Sequence, residues 1–85
     1  MKRIIWADPA RADVRKLDKP TAMRILSALH RFASSGEGDV KALQGRDELR
    51  LRIGDYRLFF VDLTDAIEVR RVLHRREAYR RPGPA

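Results

Sequence analysis

Between Leu49 and Leu58 the chain alternates apolar and basic residues on either side of a Gly-Asp pair: Leu49-Arg50-Leu51-Arg52-Ile53-Gly54-Asp55-Tyr56-Arg57-Leu58. A period of two places successive side chains on opposite faces of a strand. Gly54-Asp55 suits a two-residue hairpin turn, with positive φ at the glycine. That turn sets a register. Ile53 lies opposite Tyr56, Arg52 opposite Arg57, Leu51 opposite Leu58, Arg50 opposite Phe59 and Leu49 opposite Phe60. One face then carries Leu49, Leu51, Ile53, Tyr56, Leu58 and Phe60 and must be buried. The other carries Arg50, Arg52 and Arg57.

Like charges directly opposite each other in a sheet are unfavourable by about 0.2–1 kcal/mol. No acidic residue of these two segments shares the arginine face. An external anion relieves the repulsion. Solvation of splayed guanidinium groups, or acidic residues from loops or a partner, would relieve it too. The charge surplus points the same way: of 19 basic residues against 12 acidic ones, 15 are Arg. Arg grips phosphate through a planar fork, and an Arg-rich surplus on a small domain points to a polyanion such as nucleic acid.

Eighty-five residues make one domain. At 44% hydrophobic and 36% charged, the chain is too apolar for disorder and too charged for a membrane protein. No apolar run approaches the ~20 residues that span a bilayer. With no Cys there is no disulfide framework, thiolate metal site or thiol nucleophile. Met1-Lys2-Arg3 with a few apolar residues before Asp8-Pro9 does not read as a secretory leader, so cytoplasmic residence is the expectation.

Lys2–Ala7 reads as a strand. Asp8-Pro9 offers an N-cap and a first-turn proline for a short helix with Ala10, Val14 and Leu17 on one face. Lys19-Pro20 interrupts it. A second helix, about Pro20 to Ala33, carries the stripe Ala22, Ile25, Leu26, Leu29, Phe32 and Ala33. The two form an antiparallel hairpin. Ser34–Asp39 is a loop, and Val40–Gly45 leads into the strands. Tyr56–Leu63 and Ala66–Leu73 complete a meander. In the last strand Ile67, Val69 and Leu73 share a parity with Arg71, so either Arg71 snorkels out or a bulge shifts the register. In the first case Arg70 and His74 join the arginine face. His74–Arg81 is a polar tail with a helical turn, and residues 82–85 fray. The order β-α-α-β-β-β gives an α+β fold: an antiparallel sheet with the N-terminal helical hairpin on one face. Trp6, Phe32 and Phe60 belong to the core, and His30 to the surface.

Three segments together resemble the RelE/ParE superfamily of type II toxin–antitoxin toxins. They are Leu43-Gln44-Gly45, the Leu49–Leu58 hairpin, and His74-Arg75-Arg76-Glu77-Ala78-Tyr79-Arg80. Lys16-Leu17-Asp18-Lys19 also fits, and the resemblance spans nearly the whole chain. It implies the RelE-like microbial RNase fold. In the RelE-like branch it implies cleavage of messenger RNA in the ribosomal A site: the 2′-hydroxyl attacks the adjacent phosphate and leaves a cyclic phosphate and a 5′-hydroxyl. By motif, Arg50, Arg52 and Arg57 match the basic strand positions, Arg75 the C-terminal Arg and Tyr79 the C-terminal Tyr. RelE-like sequences often have Lys at the first two positions, where Arg keeps charge but is a poor proton donor.

Such cleavage needs a base, charge stabilisation at the phosphorane and an acid for the leaving oxygen. Arg57 and Arg75 hold charge at the reacting phosphate. Arg50, Arg52, Arg70 and Arg76 bind substrate. Tyr79, whose phenolate a cluster of cations favours, and the imidazole of His74 are the candidate proton carriers. No metal-ligand spacing and no cofactor motif are present. The expected partners are a cognate antitoxin in a hetero-oligomer, and the ribosome with its messenger. The alternative is a ParE-like toxin that inhibits DNA gyrase without catalysis. A plain DNA-binding module is disfavoured because no helix reads as a recognition helix.

Overall fold

A computed structural model describes residues 1–80, except for the side chains of Tyr79 and Arg80. The frayed tail expected at 82–85 lies outside the described residues. The elements are β1 (Arg3–Trp6), α1 (Asp8–Arg15), α2 (Lys19–Ser35), β2 (Asp39–Ala42), β3 (Leu49–Ile53), β4 (Tyr56–Asp62), β5 (Ala66–His74) and α3 (Arg75–Arg80). The α+β architecture is as expected, in a five-stranded sheet of order β1-β5-β4-β3-β2.

The sheet departs from the sequence reading twice. It contains the extra edge strand β2, antiparallel to β3, where only a connecting segment was expected. At the other edge β1 runs parallel to β5, so the sheet is mixed rather than purely antiparallel. Antiparallel neighbours are joined by short turns that a sequence displays. The direction of β1 against β5 is set by a crossover through both helices and leaves no local mark.

The hairpin register is as predicted from Leu49↔Phe60 to Ile53↔Tyr56. Gly54 has φ +57°, the left-handed conformation that the turn demands. The expected apolar face is the core. Leu51, Leu58 and Phe60 are at most 1% exposed, and Ile53 is buried with them. Ile25, Leu29 and Ala33 of α2 and Ala10 of α1 pack onto this face. Phe32 meets Phe60 edge-to-face at 5.2 Å, joining α2 to the central strand.

The capping differs from expectation. Asp8 is the first residue of α1 rather than its cap; Ala7 holds that place without a side-chain cap. Asp18 caps α2 instead, accepting from the Thr21 N–H at 3.2 Å and the Thr21 hydroxyl at 2.7 Å. These bonds hold the Asp18 carboxyl below its usual range. A depressed folded pKa means that the cap contributes fully above the unfolded value and fades as pH falls through the folded one. At the other end Gly36, with φ +78°, returns its N–H to the Phe32 carbonyl.

A bulge in the β4–β5 pairing resolves the alternatives for Arg71. Phe60 pairs with Val69 and Phe59 with Arg71, so Arg70 is the extra residue. Beyond it the parity inverts, and Val72 joins Val69 in the core while Leu73 moves to the face of Arg57. β1 ends opposite Val69, so the edge of β5 beyond it needs another partner. Asp13 of α1 fills this place, accepting from the Val72 N–H at 2.9 Å and from Arg71 Nε and Nη2 at 2.8 and 3.0 Å. The bond to Asp13 raises the Arg71 pKa, aided by Asp13 and Glu77 charges and opposed by desolvation. Asp13 is only 8% exposed and Val72 3%, so Asp13→Ala strands the Val72 N–H and takes the carboxylate from Arg71. We expect it to cost about 2–3 kcal/mol in urea unfolding, with native strand content kept.

Candidate functional site

Cross-strand pairs share a face. In β2–β3, Asp39 lies opposite Arg52 and Lys41 opposite Arg50; in β3–β4, Arg52 lies opposite Arg57. These five residues line one cavity of about 260 Å³ on the face away from α1 and α2. The sequence reading named three of them. Lys41 and Asp39 were missed because β2 was not recognised. Its sole cue is Val40, partly buried against the core. Four cations thus face a single carboxylate, and among the described residues no ion pair joins Asp39 to them.

Arg57 is 6% exposed, and its Nη1 donates to the carbonyls of Gly54 at 2.9 Å and Tyr56 at 3.0 Å. The turn therefore fixes its guanidinium at the cavity wall. Arg52 is exposed. Arg50 Nε is buried without a hydrogen-bond partner. A buried donor left unsatisfied costs about 1–3 kcal/mol. An anionic oxygen seated in the cavity would screen the repulsion between Arg52 and Arg57.

Arg70 and His74 lie elsewhere, and the bulge is the reason. Arg70 is exposed and donates through Nε to Glu68 at 2.7 Å rather than joining the trio. His74 pairs with Tyr56 on the opposite face, their rings edge-to-face at 5.4 Å. Its Nδ1 accepts from the Arg76 N–H at 3.3 Å. It lines a second cavity of about 260 Å³ with Tyr56, Asp13, Lys16, Arg71 and Glu77. Arg75 and Arg76 are exposed at the start of α3, and the Arg75 N–H donates to the Asp55 carbonyl at 2.7 Å. This bond seats α3 on the hairpin turn that also holds Arg57. The Tyr79 side chain lies outside the described atoms.

Phe59 and Val61, on the parity of the arginines, are buried, so they do not form an exposed apolar platform; Leu63, 43% exposed, does reach solvent. A larger cavity of about 340 Å³ on the helix side has an apolar floor of Trp6, Val14 and Leu26 beside Arg11 and Arg15. Only two cations border it, so it is the weaker anion site. Among the described residues no group of three His, Asp or Glu is placed to hold a metal ion, and no helix is long and apolar enough to cross a membrane.

Solved structures share this fold. RelE in the RelB–RelE antitoxin–toxin complex of Methanococcus jannaschii is 26% identical, with a TM-score of 0.73 over 89% of this chain and 95% of that one. The RelE–RelB complex of Pyrococcus horikoshii OT3 matches at 24% identity and a TM-score of 0.72, over 87% of this chain and 94% of that one. The intact Escherichia coli RelBE complex matches at 21% and 0.71, over 85% and 94%. No curated protein sequence matches the chain. The family model described as the ParE toxin of the type II toxin–antitoxin system parDE matches residues 4–79. From its first strand into its last helix, then, the chain belongs to the ParE toxin family of type II toxin–antitoxin systems.

Proposed function

We propose that this toxin is a metal-independent endoribonuclease that cleaves messenger RNA on the ribosome by attack of a 2′-hydroxyl on the adjacent phosphodiester. The observation that carries the reading is the convergence of Lys41, Arg50, Arg52 and Arg57 on one cavity. A pentavalent phosphorane carries more negative charge on its oxygens than the diester, so fixed cations around it stabilise the transition state beyond the ground state. The bonds from Arg57 to two turn carbonyls preorganise one of them. Arg75, exposed at the start of α3, is not among the residues lining this cavity, and Tyr79 follows it one helical turn later in the backbone. Arginine is a poor proton carrier, and Tyr79 is the proposed proton carrier. His74 belongs to the other face and supports the strand end through Tyr56.

Mapping of messenger 5′ ends after induced expression tests the reading, run beside a gyrase supercoiling assay. New 5′ ends within coding regions and unchanged supercoiling are expected. Tyr79→Phe should lower cleavage at least tenfold; full cleavage in this variant would remove Tyr79 from the mechanism. Ribosome binding should weaken roughly 50-fold between 50 and 200 mM salt if four phosphate contacts are made. Salt-insensitive binding would contradict a phosphate site.

Membership of the ParE family favours a second reading, a non-catalytic inhibitor of DNA gyrase. Supercoiling loss without new messenger ends would select it. Under either reading the partner is a cognate antitoxin; the RelE structures above were solved as antitoxin–toxin complexes, and an acidic segment suits the cationic face.

A further inference from the structure

Four of the five residues lining the cationic cavity offer only hydrogen-bond donors, since Lys and Arg have no acceptor. Asp39 is the exception. A carboxylate in a phosphate site is a liability toward a ligand that presents phosphate alone, because it repels the anion that the cations attract. It becomes an asset when the ligand also presents a hydroxyl donor next to the phosphate. Ribose does so: its 2′-hydroxyl neighbours the 3′-phosphate, and deoxyribose lacks it.

We propose that Asp39 accepts a hydrogen bond from the 2′-hydroxyl of the nucleotide whose 3′-phosphate lies among Lys41, Arg50, Arg52 and Arg57, and so selects RNA over DNA. The proposal rests on the ribonuclease reading above and adds a specificity residue to it. The register supports it. Asp39 stands opposite Arg52, and directly paired residues have Cβ atoms about 4.5–5.5 Å apart. A carboxylate and a guanidinium at that spacing can flank two neighbouring substituents of one sugar. Asp39 lines the cavity, is exposed and forms no ion pair with Arg52 among the described residues. The core contact of β2 is made by the adjacent Val40, which separates Asp39 from the packing of the strand.

The test uses probes that cannot be cleaved: adenosine 3′-monophosphate and 2′-deoxyadenosine 3′-monophosphate, titrated into the intact toxin and followed by NMR. The wild type should prefer the ribonucleotide by roughly tenfold or more, the worth of one charge-assisted hydrogen bond. Asp39→Ala should lose the preference and bind the deoxynucleotide more tightly than the wild type does. Asp39→Asn keeps an acceptor and loses the charge, so it should retain part of the preference. Arg50→Ala should weaken both probes alike. An equal affinity of the wild type for the two probes overturns the role of Asp39 and leaves the anion site standing. Asp39→Ala weakening both probes equally also overturns it, because a mere structural strut behaves that way. Binding of neither probe by the wild type overturns the anion site and the Asp39 proposal together.

Discussion

Phe60→Ala should remove a large share of the stability of this domain. Phe60 is fully buried, stands in the central strand β4 and meets Phe32 of α2 edge-to-face. Truncating a buried Phe costs about 3–5 kcal/mol, from lost transfer energy and from a cavity that the surroundings fill only in part. A chain of this length has a total stability of about 4–13 kcal/mol. The variant is therefore expected to melt at least ~12 °C lower and to be partly unfolded at 37 °C. Phe60→Leu keeps most of the volume and should cost about a third as much. Circular dichroism melts of the three proteins check the expectation. A melting point unchanged in Phe60→Ala would mean that the contact between α2 and β4 does not hold the two layers together.

Arg57→Ala should abolish growth arrest. Removing one preorganised donor from a transition-state site costs about 10²–10³ in rate. Arg57 also ties down the hairpin turn through the Gly54 and Tyr56 carbonyls, so the same substitution should lower stability by about 1–2 kcal/mol. The two effects separate by comparison with Arg52→Ala. Arg52 is exposed and forms no described ion pair, so its loss should reduce messenger cleavage while leaving the urea midpoint within error. Arg57→Lys keeps the charge without the planar fork and should recover stability less than it recovers charge. Undiminished 5′ ends in both Arg52→Ala and Arg57→Ala would remove the cavity from the mechanism.

The physical basis of these two expectations was legible to different degrees in the amino-acid order. The Leu49–Leu58 pattern determines its own hairpin because two neighbours in sequence, Gly54 and Asp55, decide the register of every pair that follows. Burial of Phe60 and alignment of Arg52 with Arg57 follow from that local rule. The stripe of α2 is legible for the same reason, since a period of 3.6 residues appears within one segment.

What resisted reading is of another kind. β2 is four residues long, and its Asp-Val-Lys-Ala alternation is too short to announce a strand; it is a strand because β3 offers an edge to pair with. Lys41 and Asp39 reach the site only through that pairing. The bulge at Arg70 sends His74 to the other face, and it is secured by Asp13, 58 residues away from Arg71. The parallel match of β1 with β5 joins the two ends of the chain. Each of these is settled by groups distant in sequence that must satisfy one another's hydrogen bonds and charges, a condition that exists only once the sheet and helices are assembled. The amino-acid order alone determined the core hairpin, the helical stripe and the arginine trio; the assembled sheet decided which further residues stand beside that trio.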